Sequence, residues 1–191
     1  VMECDVSEFT SMYEAFKDNS SFNQDVSAWN TSAVTNMNSM FHGATAFNQD
    51  LSAWDTSSVT NMGYMFTNAT NLTTVRFPDT SAVTDMGRMF SVATSLTSVS
   101  LPQTGAVTNM GYMFNNATNL TSVSLPTTGL VTDMSAMFCD ATKLTTVTLP
   151  KTGAVRSMNR MFLATTSLTT IRLPQTGTVT DMCGMSYDAT N

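Results

Sequence analysis

The chain has 191 residues, of which 42% are hydrophobic and 12% are charged, and its formal net charge is −6. This length allows one domain with a substantial core, and the apolar fraction excludes intrinsic disorder. The acidic balance argues against nucleic-acid binding, and the sequence has no apolar run of about 18 residues that would predict a membrane span. Threonine (34 residues) and serine (21 residues) replace much of the usual charged surface.

An internal repeat organises the whole chain. The motif Met-x-x-Met-Phe occurs at 37–41, 62–66, 86–90, 110–114, 134–138 and 158–162, with degenerate copies at 12–16 and 182–186. Such self-similarity predicts one elongated solenoid over 1–191 with about eight coils. Residues 1–71 contain 25-residue repeats of the FNQD/Trp type, and residues 72–191 contain 24-residue repeats of the LTxVxLP type.

Each coil is predicted to contain a short parallel strand and a short helix. In the strand at 73–77, the two-residue period places Val75 and Phe77 inward and Thr74 and Arg76 outward. Pro78 ends that strand. After a turn, a helix is predicted whose apolar face holds Val83, Met86, Met89, Phe90 and Ala93. The fold class is therefore a leucine-rich-repeat-like solenoid.

The residue types leave no candidate for catalysis, for a cofactor or for a metal site. Methionine columns could bind a soft metal ion, but their place on the buried face favours core packing. Trp29 and Trp54 could stack on sugars. The first of the later repeats, however, has the pair Phe77-Pro78 in place of the Ala-Trp pair, and this exchange favours packing of the tryptophans at the sheet edge. His42 is the only histidine and is predicted to lie in a turn, so neither a Ser-His-Asp triad nor a histidine-ligated metal can form.

A polar column precedes each predicted helix, formed by Asn36, Asn61, Asp85, Asn109, Asp133 and Asp181. Calcium binding is one interpretation of this column, but the glycine-rich nonapeptide of calcium-binding solenoids is absent. Capping of the helix N-termini is therefore favoured. The three cysteines, Cys4, Cys139 and Cys183, lie at different repeat positions and are expected to be free thiols.

The runs FNQDLSAWDTSSVTNMGYMF at 47–66 and LTSVSLPQTGAVTNMGYMF at 96–114 resemble the repeats of the BspA-like leucine-rich-repeat surface proteins. The resemblance covers essentially the whole chain. It implies an extracellular or surface-attached protein linked to adhesion and protein binding, without enzymatic activity. One departure is that alanine replaces the cysteine found in many repeats of that family three residues after the Met-Phe pair, at Ala44, Ala69, Ala93, Ala117 and Ala141.

The outward strand residues form the candidate binding face: Thr74, Arg76, Ser98, Ser100, Ser122, Ser124, Thr146, Thr148, Thr170 and Arg172. Solenoids bind along regular open faces, so a protein partner or a surface ligand is expected to lie along this one. Arrays of Thr-x-Thr pairs are typical of ice-binding solenoids. Because only one of these five pairs is Thr-x-Thr and two contain arginine, ice or surface binding is a minor alternative.

Six Asn-x-Ser/Thr sequons permit N-glycosylation, at Asn19, Asn30, Asn68, Asn71, Asn116 and Asn119. Their number is close to that expected by chance in a chain this rich in serine and threonine. The sequons therefore do not by themselves indicate glycosylation.

The sequence favours two functions. The first is a non-catalytic adhesive or protein-binding solenoid at the cell surface or outside the cell. The alternative is a structural scaffold subunit of a larger assembly, for example inside an organelle. Because both ends fall within a running repeat without a capping element, we expect an excerpt of a longer repeat protein, or another chain covering an end through end-to-end stacking or a larger complex.

Overall fold

The computed structural model describes residues 6–149, 153–173 and 178–186. Five short strands lie in these ranges: β1 Thr74–Arg76, β2 Ser98–Ser100, β3 Ser122–Ser124, β4 Thr146–Thr148 and β5 Thr170–Arg172. They pair in parallel as two sheets, β1–β2 and β3–β4–β5. Each strand pairs with the same three positions of the next coil, so the repeats stack in register as a solenoid requires.

The strands are three residues long, but their predicted side-chain alternation is confirmed in the first coil that has one. Val75 is buried between the exposed Thr74 and Arg76, and Phe77 is buried just beyond β1. The alternation fades in β5, where the central Ile171 is 43% exposed.

The prediction of a strand in every coil is wrong for the two FNQD coils. There the chain makes turns instead, closed by bonds from the Trp29 N–H to the Val26 carbonyl and from the Trp54 N–H to the Leu51 carbonyl, each 3.1 Å. Asp25 and Asp50 explain the difference, because each side chain accepts a backbone N–H two residues ahead at 2.9 Å. A side chain that captures a nearby N–H draws the backbone into a turn and away from a ladder.

The predicted helices are also wrong, since no helix lies in the part of the chain that the structure describes. Six-residue turn segments replace them, at 13–18, 38–43, 63–68, 87–92, 111–116, 135–140 and 159–164. Alternate amides of these segments bond in two directions. The N–H groups of Met89 and Ser91 bond back three residues, whereas those of Arg88 and Phe90 donate to carbonyls of the next coil. We call this stack of turns the turn ladder.

The coil spacing explains why helices are excluded. Successive phenylalanine rings of the Met-Phe pairs stack with centroids 5.5–5.7 Å apart from Phe66 to Phe162. An α-helix with its side chains is about 10 Å wide, twice this spacing. Turns that bond to both neighbours satisfy the backbone within the narrower layer.

The predicted core is confirmed, because the methionines, phenylalanines and alanines of the repeat fill one continuous apolar cluster. Both methionines and the phenylalanine of all six complete motifs are 0% exposed. Trp54 is also fully buried, and its Nε1 donates to the Val26 carbonyl at 2.9 Å. It stacks on the half-buried Trp29 at 6.3 Å, and both indoles pack against the core. The predicted place at a sheet edge is wrong, because these coils have no strand.

The column predicted to cap helices caps the turn ladder instead. Its side-chain oxygens accept the backbone N–H two residues ahead, as Asp85 does from Gly87 at 2.9 Å and Asn61 does from Gly63 at 2.9 Å. The backbone at the same positions also forms parallel β-bridges between neighbouring coils, in an unbroken series from Ser11 to Asp181. His42 lies in a turn segment, where its N–H bonds to the Ser39 carbonyl at 3.1 Å.

Candidate binding surface

The ten outward side chains of β1–β5, which we call the strand face, are aligned by the parallel pairing. Thr74 lies opposite Ser98, and Ser122, Thr146 and Thr170 continue the same row in the second sheet. All ten are exposed, except Thr146 and Thr148, which are half-buried. The predicted candidate residues are therefore brought together on one side of the solenoid.

The hydroxyl groups of the strand face differ from those beside it. In the neighbouring column the Thr97 and Thr169 hydroxyls donate at 3.1 Å to carbonyls of the preceding coil. By contrast, no strand-face side chain has a hydrogen bond to any other residue that the structure describes. The hydroxyl and guanidinium groups of the strand face thus form a surface of unused donors and acceptors.

Arginines lie on the first and last strands of this face. Arg76 on β1 lies near Asp50, whose pKa is lowered mainly by the Ser52 N–H and to a smaller extent by this guanidinium. Arg172 on β5 has no carboxylate within salt-bridge distance among the described residues. The face therefore has no charged side chain in its middle and one arginine at each end, of which Arg76 is partly balanced by Asp50.

A second threonine column was not predicted from the sequence, where its members have the pattern of ordinary turn residues. Thr31, Thr56, Thr80, Thr104 and Thr128 are buried. The hydroxyl of Thr31 donates to the Asp55 carbonyl at 2.9 Å, and that of Thr80 donates to the Gln103 carbonyl. The sequence did contain a signal for this column, because the threonine recurs every 24 or 25 residues. A buried hydroxyl needs a hydrogen-bond partner at a fixed place, so it keeps the same position in each repeat.

The six sequons differ in accessibility. Asn19, Asn30 and Asn71 are exposed. Asn68, Asn116 and Asn119 are half-buried, and the Asn119 amide bonds to the Thr94 carbonyl and to Lys143, both at 2.7 Å. Glycosylation stays a prediction for all six.

The cysteines that the structure describes are free thiols, while Cys4 lies outside the described residues. Cys139 is buried, and burial, followed by its hydrogen bond to Asp140, raises the pKa of its thiol to about 11. Cys183 is exposed. No cluster of potential metal ligands occurs among 6–149, 153–173 and 178–186, and no helix in these ranges could cross a membrane.

The family described as "Mycoplasma protein of unknown function, DUF285" matches residues 1–100, 70–170 and 95–191, which together span the chain. The chain belongs to this family. Overlapping matches to one family model are what a continuous internal repeat produces. The narrower resemblance to BspA-like proteins stays a prediction. Curated protein sequences give no match.

Among solved structures, the chain is similar to one described as "Crystal structure of TLR13-ssRNA13 complex". The sequence identity is 17% and the TM-score is 0.48. The match covers 87% of this chain and 23% of the receptor chain, so this chain spans about a quarter of that protein.

Proposed function

We propose that this chain is a non-catalytic binding protein that holds a protein partner or a surface ligand along the strand face. We place it at the cell surface or outside the cell, in an adhesive role. The observation that supports this function is the in-register array of strand-face groups whose side chains make no hydrogen bond to another described residue.

The chemistry of this face indicates the kind of ligand. One hydrogen bond contributes only about 0.5–1.5 kcal/mol net, so useful affinity needs several rows engaged together. A ligand that crosses several strands can meet this condition, because hydroxyl groups recur from strand to strand at a spacing of about 4.8 Å. An extended polypeptide or a glycan chain has such a shape.

The test compares two doubly charged variants with the unmodified protein on an array of immobilised extracellular-matrix glycoproteins and glycans. Ser98→Glu with Ser122→Glu places two carboxylates in the middle of the strand face. Ser58→Glu with Ser81→Glu adds the same charge at exposed positions outside the strands. Circular dichroism shows whether each variant keeps the fold.

We expect the unmodified protein and the control variant to bind the same members of the array. The strand-face variant should bind them at least about tenfold more weakly, because an unpaired charge at a contact costs more than the hydrogen bond it replaces. Equal binding by all three proteins, or no binding by the unmodified one, would contradict the proposal.

A further inference from the structure

The turn ladder carries an aromatic and cationic cluster on a different side of the core from the strand face. The Arg88 guanidinium carbon lies 4.2 Å from the centroid of the Tyr112 ring and 5.8 Å from that of Tyr64. The three residues occupy the same position in successive coils, two residues after the first methionine of the motif. Tyr64 is 40% exposed, and the other two side chains are half-buried.

The backbone holds this cluster firmly in place. The N–H groups of Tyr64, Arg88 and Tyr112 each donate to a carbonyl of the next coil at 2.8–2.9 Å. A glycine precedes each of the three residues. A Cβ at Gly87 would lie 2.5 Å from the Asn109 amide nitrogen, so the capping column packs directly behind the cluster.

The Arg88 guanidinium forms no salt bridge with a carboxylate of the described chain. Its side chain has the two ring contacts but no hydrogen bond or salt bridge to another described residue. Guanidinium groups pair bidentately with carboxylates. Stacking on aromatic rings already restricts the conformations of the arginine side chain, so the side chain loses less conformational entropy when such a pair forms. Tyrosine and arginine are also among the side chains enriched at protein interfaces.

We propose that Tyr64, Arg88 and Tyr112 form a docking site for an exposed aspartate or glutamate side chain of a protein partner. The net charge of −6 supports a single carboxylate over a polyanion, because a chain of this charge repels nucleic acids and sulfated glycans at long range. This site is independent of the strand face.

Arg160 provides a matched control inside the same molecule. It occupies the same repeat position and is exposed, but Ala136 and Gly184 take the places of the two tyrosines. A general attraction of arginine for anions would therefore act at least as strongly on the exposed Arg160 as on Arg88.

The experiment follows the arginine side-chain Nε–H signals by NMR while a blocked peptide, acetyl-Ala-Leu-Glu-Leu-Ala-amide, is added. The peptide with glutamine in place of glutamate is the uncharged control. Arg88→Gln and Arg160→Gln assign the two signals, and the spectrum of each variant reports its folding. We expect the glutamate peptide to shift the Arg88 signal saturably, with no such shift at Arg160 or with the glutamine peptide.

Two further variants test the role of the rings. Tyr64→Phe with Tyr112→Phe should keep the binding, and Tyr64→Ala with Tyr112→Ala should weaken it about two- to fivefold. No shift at Arg88, an equal shift at Arg160, or an equal response to the glutamine peptide would overturn the proposal. Stronger binding of inorganic phosphate than of the glutamate peptide would overturn the carboxylate assignment. Glutamate charges placed on the strand face should leave the Arg88 response unchanged.

Discussion

At the residue scale, the turn ladder depends on positions with left-handed backbone conformation. Among the residues that the structure describes, thirteen other than glycine have φ between +49° and +60°, and they fall in two columns four residues apart. One column holds Asp18, Gly43, Asn68, Val92, Asn116, Asp140 and Ala164. Asparagine, aspartate and glycine tolerate this conformation, whereas a β-branched side chain does not. Val92, with φ of +59°, is therefore the most strained member of the column.

Val92→Asn is expected to stabilise the protein by about 1 kcal/mol, because asparagine relieves part of the left-handed strain. Thermal and urea unfolding would measure the difference. Val92→Ala is the control, since it removes the half-buried side chain without supplying a residue suited to this conformation. If Val92→Asn is no more stable than the unmodified protein, side-chain contacts outweigh the strain at this position. If it is no more stable than Val92→Ala, asparagine brings no advantage in this conformation.

The aspartates of the turns also make stability depend on pH. The pKa values of Asp25, Asp50 and Asp55 are lowered, the first two mainly by a backbone N–H and the third mainly by the Ser57 hydroxyl. A folded-state pKa below the unfolded value of about 3.9 means that the stabilisation is complete above that pH. It is lost as the pH falls through the lower folded value.

A triple variant, in which Asp25, Asp50 and Asp55 become asparagine, should reduce this acid sensitivity, because the amide oxygen still accepts the turn N–H but does not titrate. The melting temperature measured from pH 6 to pH 2 should fall less steeply below about pH 4 than in the unmodified protein. The same decline in both proteins would show that other carboxylates dominate acid unfolding.

At the element scale, the spacing of apolar residues identified the buried side chains but not the backbone that carries them. Met86, Met89 and Phe90 lie at i, i+3 and i+4, which a helix and a series of three-residue turns both place on one side. Spacing within one coil cannot show whether an amide bonds along the chain or to the next coil. The recurrence of Asn68 and Asn116 at one repeat position was a signal of left-handed turns. The strand face, which depends only on two-residue alternation, was predictable at β1, whereas the cluster around Arg88 required the stacking of coils.

Thr80, from the buried threonine column, and Thr84, four residues further along the same coil, allow a matched test of the bonds between coils. Thr80 is buried, and its hydroxyl donates to the Gln103 carbonyl. Thr84 is exposed, and the Thr60 carbonyl that its hydroxyl contacts at 3.1 Å also accepts the Thr84 N–H at 2.8 Å. We expect Thr80→Val to cost about 1–3 kcal/mol, because it leaves a carbonyl without a side-chain donor in a buried site. Thr84→Val should change the free energy of unfolding by less than about 0.5 kcal/mol. Equal losses in chemical denaturation would contradict this distinction between Thr80 and Thr84.

At the scale of the whole molecule, each coil contacts mainly its neighbours. The paired strands and the segments of the turn ladder bond to equivalent positions about 24 residues away. Stability in such a molecule is close to a sum of coil terms and nearest-neighbour interface terms. A core defect in the middle of the chain should therefore act differently from one near the first coil.

Phe114 tests this expectation, because its ring lies between those of Phe90 and Phe138 at 5.5 and 5.7 Å. Phe114→Ala should cost about 3–5 kcal/mol and weaken both interfaces of its coil. Urea unfolding should then separate into two transitions, one for each side of the defect. Phe16 lies in the first described coil, where it is half-buried and stacks on Phe41 with the ring centroids 5.6 Å apart. Phe16→Ala should keep one main transition, and its hydrogen exchange should accelerate only around residues 12–22. A single transition with an unchanged denaturant slope in Phe114→Ala would show that the coils unfold as one cooperative unit.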